Sequence, residues 1–138
     1  MVYAVLDTNV LVSFFICKNS DSAPSKVLRE AFGGKITPIY NIPLIKEYRT
    51  VLSRKKFGLD KTSIDLMLDD FQNFGIGVES FEPLIRLLDP KDAPILDVAL
   101  MTREMDSYLV TGNLKHFPDL DYVISPRQMV DLLEKQSA

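Results

Sequence analysis

Hydrophobic residues in this chain alternate between short continuous runs and stretches where they recur every third or fourth position. Residues 2–6, Val-Tyr-Ala-Val-Leu, form a run of the kind found in a strand buried on both faces, and it stops at Asp7-Thr8-Asn9. From Pro24, the positions Val27, Leu28, Ala31 and Phe32 mark a helical face that Gly33-Gly34 should end through a left-handed turn. Ile36 to Tyr40 reads as a second strand. Pro43 then opens a helix carrying Leu44, Ile45, Tyr48, Val51 and Leu52, so the chain begins β-α-β-α.

Asp60 is placed to cap the next helix, whose Ile64, Met67, Leu68 and Phe71 share a face up to Gly75-Ile76-Gly77. A brief extended piece over 78–81 and a helical turn between Pro83 and Leu88 are the readings that follow. After the turn Asp89-Pro90-Lys91-Asp92, a helix is expected over 93–104, with Asp92 as its cap and Pro94 in its first turn. Residues 107–111 read as a strand ending at Gly112-Asn113, and 122–124 as a last short strand. Ser125-Pro126-Arg127-Gln128 has the form of a capping box opening a helix on Met129, Val130, Leu132 and Leu133. Strands separated by helices, without a hairpin signal, predict an α/β fold: a central, mostly parallel sheet with helices on both faces.

The length of 138 residues fits one domain spanning 1–138. The apolar fraction of 46% and charged fraction of 25% are those of a soluble globular domain, and the apolar stretch 10–16, broken by Ser13, is too short to cross a bilayer. No basic leader with a cleavage site precedes it, so a cytoplasmic protein with no membrane partner is the expectation. With Cys17 the only cysteine and His116 the only histidine, neither a disulfide framework nor a Cys/His zinc site can form within one chain. Any metal must rest mainly on oxygen. A formal charge of -3 argues against a broad cationic surface for nucleic acid, so that a nucleic-acid substrate would need a local basic patch (Lys18, Arg49, Arg54, Lys55, Lys56, Lys115) or a metal bridge.

Sites in open parallel sheets form outside the carboxyl ends of the strands. Asp7 ends the first strand, Asp92 begins the helix before the 107–111 strand, and Asn113 lies just past that strand. Glu47 falls at the margin of the Leu44/Tyr48/Val51 stripe, where a carboxylate can reach past the core edge. Carboxylates gathered together repel unless a cation compensates, and Mg²⁺ or Mn²⁺ on a few oxygens can activate water and polarise a phosphodiester. Taken singly, Asp7 also suits a turn, Asp92 a plain cap, Glu47 an exposed pair with Arg49 or Arg54, and Asn113 a turn beside Gly112. Asp97 lies opposite the Ile95/Ala99/Thr102 stripe and is a reserve acid; His116 reads as an exposed loop residue and Cys17 as a packed side chain.

Leu6-Asp7-Thr8-Asn9-Val10-Leu11 resembles the opening of PIN domains, and Glu47 in Pro43-Leu44-Ile45-Lys46-Glu47-Tyr48 resembles their helical glutamate. Asp92-Ala93-Pro94-Ile95-Leu96-Asp97-Val98-Ala99 resembles their third acidic motif, and Tyr108-Leu109-Val110-Thr111-Gly112-Asn113, followed by Phe117, their last. The Ser125-Pro126 helix start is similar to the close of PIN-family, VapC-like toxins, and the four motifs stand in the family's order across nearly the whole chain. The resemblance implies a three-layer α/β/α fold and a Mg²⁺- or Mn²⁺-dependent ribonuclease. It also implies the toxin of a toxin-antitoxin pair, with a small antitoxin protein as partner and a homodimer as its assembly. By the same resemblance, Asp7, Glu47 and Asp92 would hold the metal, with Asn113 as a catalytic auxiliary. One departure is visible: the family's Thr-x-Asp is Thr111-Gly112-Asn113 here, an amide without charge. The alternative is therefore a PIN scaffold with weakened catalysis that binds protein or RNA. Leu100 and Met101, apolar beside the main helical stripe, add to the expectation of a dimer.

Overall fold

The branched and apolar residues of Val2–Leu6 form β1, the middle strand of a five-stranded sheet with the order β3-β2-β1-β4-β5. The structure, a computed structural model, describes residues 2–16, 21–78 and 102–137. β2 is Ile36–Tyr40, β3 Ile76–Gly77, β4 Tyr108–Val110 and β5 Val123–Ile124, and every pairing among them is parallel. The register sets Val2 against Ile36 and Leu6 against Val110, so β1 is covered on both edges. Pro38 has no N–H, and it sits where β3 does not reach, since β3 pairs only with Ile39 and Tyr40. Together with its helices the sheet makes the expected three-layer α/β/α arrangement.

Five helices of nine residues or more appear among the described residues: α1 Thr8–Ile16, α2 Ala23–Phe32, α3 Ile42–Leu52, α4 Lys61–Phe74 and α5 Pro126–Ser137. The sequence reading placed one helix between the first two strands; the structure places two. α1 was hidden because its near-continuous apolar run has no polar face to set a period. It packs against α2 and α3 and buries Thr8, Val10 and Leu11 while Val12, Phe14 and Phe15 lean on the core.

Helix boundaries follow local chemistry. Asn41 caps α3 by accepting from the Leu44 amide at 2.8 Å. Ser125 and Gln128 form the expected reciprocal box at the start of α5, with Ser125 N donating to Gln128 Oε1 at 2.8 Å and Gln128 N to Ser125 Oγ at 3.1 Å. Asp60 stands at the cap position of α4, but its side chain makes no capping bond. After α2, Gly33 stays right-handed and Gly34, at φ +91°, makes the left-handed turn. Tyr48 and Phe71, both fully buried, meet edge to face at 5.5 Å and lock α3 to α4. Of the extended piece expected over 78–81 only Val78 is described, just past β3; residues 79–81, the turn 83–88, the greater part of the 93–104 helix, Asp92, Asp97, Leu100, Met101, Cys17 and Lys18 lie outside the described residues, and at the end of that predicted helix Arg103–Met105 is a 3₁₀ turn.

Candidate active site

The strand order reverses at β1: β2 follows it on one edge and β4, much later in the chain, lies on the other. The crevice outside the carboxyl ends of β1 and β4 is therefore the switch point where open α/β sheets place their sites. Asp7, the residue after β1, sits there with only 6% of its surface exposed. Its backbone amide donates to the Val110 carbonyl at 2.8 Å, continuing the β1–β4 ladder to the edge of the crevice. Thr111, the residue after β4, donates its hydroxyl to Asp7 Oδ2 at 2.6 Å, and Asn9 Nδ2 donates to the same oxygen at 3.1 Å. A buried carboxylate so held keeps a fixed direction.

α3 brings the second carboxylate. Glu47 is half-buried, and its Oε2 accepts from Thr8 Oγ1 at 2.7 Å across 39 residues of sequence. Arg49, one of the partners Glu47 could have had, instead pairs with Asp65 on α4. Beneath the crevice lies Tyr48, whose hydroxyl donates to the Leu6 carbonyl. Burial first, and then the charges of Asp7 and Glu47, hold its phenol well above the ordinary tyrosine value. The two carboxylates thus act on a common neighbour. Asn113 lies at the rim, exposed, its backbone amide donating to Thr111 Oγ1 at 2.9 Å. Asn9 ties both loops together, since its Oδ1 accepts from the Gly112 amide at 3.2 Å.

The donor set fits a hard divalent ion. Asp7 and Glu47 are oxygen donors whose charges both bear on Tyr48, and Mg²⁺ or Mn²⁺ commonly takes one or two carboxylates while retaining water. Among the described residues no group of three His, Cys, Asp or Glu side chains is arranged to hold an ion. The third expected acid, Asp92, lies outside them. His116 is exposed in a 3₁₀ turn, Leu114–His116, beyond the rim.

Asp7, Glu47 and Asn113 are legible in the sequence as site residues, whereas Thr8, Asn9, Thr111 and Tyr48 are not. A signal existed for the hydroxyls: Thr111 directly follows β4, and Thr8 opens α1 two residues past the end of β1, the two strands that flank the switch point. Its use depends on the pairing of β1 with β4, which no local pattern states.

A family model described as PIN domain matches residues 3–115. Among solved structures, the chain is similar to the crystal structure of VapBC2 from Rickettsia felis bound to a DNA fragment from their promoter. The likeness has a TM-score of 0.58 at 18% identity and covers 90% of this chain and 97% of that one. No curated protein matches the sequence.

Proposed function

Because the chain belongs to the PIN-domain family, we propose that it is a Mg²⁺- or Mn²⁺-dependent ribonuclease and the toxin of a toxin-antitoxin pair. The observation that carries this reading is the buried Asp7 carboxylate at the switch point, fixed by Thr111 and Asn9, with the Glu47 carboxylate held by the next residue, Thr8. Asp7, Glu47 and Asp92 would hold the ion, which supplies an activated water and neutralises charge developing on a phosphodiester. Thr111 and Asn9 aim Asp7, and Thr8 aims Glu47, so both acids keep their direction when a polyanion approaches. RNA needs no broad basic surface under this reading, in keeping with the net charge of -3.

Support for a protein partner comes from the similar VapBC2 structure, a complex bound to DNA from its promoter. A small antitoxin protein and a second copy of this chain are the partners we propose. No helix among the described residues is long and apolar enough to cross a membrane. A second reading, a PIN scaffold with weakened catalysis that binds protein or RNA, is favoured by Asn113, an uncharged amide in place of the family's aspartate.

The test is cleavage of defined single-stranded RNAs with added Mn²⁺. Asp7→Asn and Asp92→Asn should each lose about 100-fold or more, beyond the roughly 10–100-fold typical of residues that only orient ligands, such as Thr111→Val. Mn²⁺ should also raise the melting temperature of the wild type well above its effect on Asp7→Asn, since binding to the folded state alone stabilises it. Near-wild-type cleavage by both aspartate variants would remove the assigned site.

A further inference from the structure

Beside the Asp7 carboxylate a small cleft opens between α1 and the loops that start α2 and α5. Its volume is about 230 Å³, and it is lined by Asn9, Val10, Ser13, Pro24, Gly112, Asn113 and Pro126. Pockets for drug-sized ligands run to roughly 300–1,000 Å³, so this space suits a single ring system. Two helices begin at its wall, yet the cleft is poorly equipped for a phosphate. Pro24 and Pro126 bring no N–H. The Ser25 amide already donates to Ser22 Oγ at 3.3 Å and the Gln128 amide to Ser125 Oγ at 3.1 Å. None of the described residues that line it is a lysine or arginine.

What the lining does offer is two kinds of surface. Val10 and Pro126, both buried, and the half-buried ring of Pro24 are apolar. Asn9, Ser13 and Asn113 carry hydroxyl or amide groups that donate and accept. Apolar faces with a neutral polar edge match an uncharged planar heterocycle. Single-stranded RNA presents such a group whenever a base is turned out of the stack.

We propose that this cleft is a nucleobase pocket that seats one base of the RNA next to the bond being cut, with Asn113 reading its edge. The inference rests on the nuclease reading above and adds the origin of base preference. Asn9 is the link: its Nδ2 donates to Asp7 Oδ2 at 3.1 Å while its side chain lines the cleft, so the seated base lies one side chain from the acid. Asn113 then has a reason to be an amide. An aspartate there would accept only, whereas the amide offers both a donor and an acceptor to a base edge.

Two measurements on the full chain separate this proposal from the reading beneath it. In metal-free protein, adenosine, guanosine, cytidine and uridine are titrated one at a time and followed through the backbone amide resonances of Asn9, Ser13 and Asn113, with ribose 5-phosphate as the comparison. At least one nucleoside should shift all three resonances and ribose 5-phosphate should not; no response to any nucleoside, or an equal response to the sugar phosphate, overturns the pocket. Cleavage of the four homopolymeric RNAs in Mn²⁺ should show a base preference. Asn113→Ala should flatten the ratio of kcat/KM between the preferred base and the others by roughly fivefold or more, whatever its effect on the overall rate, the factor of about one net hydrogen bond. Ser13→Leu, which fills the cleft, should raise KM with kcat retained. Should Ser13→Leu fail to fold, the exposed Asn113→Ala still decides. Nucleoside binding without RNA cleavage overturns the nuclease reading and leaves the pocket standing, while cleavage with no base preference overturns the pocket alone.

Discussion

Asp7 and Glu47 could be found from sequence because their positions, the end of a buried strand and the margin of a helical stripe, are set locally. Thr8 and Thr111 could not, since each hydroxyl acts on a carboxylate 39 or 104 residues away. Tyr48 was legible only as a core residue, yet its hydroxyl ties α3 to the last carbonyl of β1 beneath both acids. Its ionisation is the alkaline weak point of the fold. An exposed tyrosine in the unfolded chain titrates near 10.0, and the folded value lies well above it, so the neutral phenol belongs to the native state. The stability tied to that raised value is complete below about pH 10 and is lost as the pH climbs from there through the folded value. Tyr48→Phe should lower stability by about 1–3 kcal/mol at neutral pH, because a buried carbonyl loses a donor, and should remove this alkaline slope. Urea unfolding at about pH 8 and about pH 10.5 measures both, and a slope unchanged in the variant would assign it to other groups.

Elements with a polar back and a clear apolar stripe were legible from sequence; the one without was not. α3 and α4 announce themselves through Leu44, Ile45, Tyr48 and Ile64, Met67, Leu68, Phe71, all buried as the spacing requires. α1 is apolar almost throughout, and only its packing between neighbours shows that the run is helical. Gly75 looked like a simple helix stop and proves tighter than that. A Cβ there would lie 2.6 Å from the Pro38 carbonyl oxygen and 2.8 Å from that of Phe71, so α4 can end against β2 only if this residue has no side chain. With φ at −96° the obstacle is backbone contact and not conformation. Gly75→Ala should therefore destabilise by about 1–3 kcal/mol, as overpacking typically does, whereas Gly34→Ala meets no atoms and tests the left-handed turn alone. A thermal melt of Gly75→Ala matching the wild type would show that β2 yields at no cost.

For the whole molecule, the parallel sheet followed from the alternation of strands and helices, but the strand order did not, because nothing local tells β4 to lie beside β1. Ile42, Leu66 and Phe74 each keep more than half of their surface exposed, at 59%, 61% and 57%. Closed two-fold pairing is the commonest way to cover such residues. Light scattering at micromolar concentration should report twice the chain mass of 15.6 kDa, and monomer alone would count against the dimer. The β1–β4 pairing has a further consequence in time. A chain emerging from the ribosome has Asp7 and Glu47 early, with their donors Asn9 and Thr8, but the second donor to Asp7, Thr111, arrives 104 residues later. Closing so long a loop is the slow, late step of folding. A nascent or prematurely ended chain thus carries Asp7 without its Thr111 donor, and the cell meets a finished cleft only once translation has passed β4.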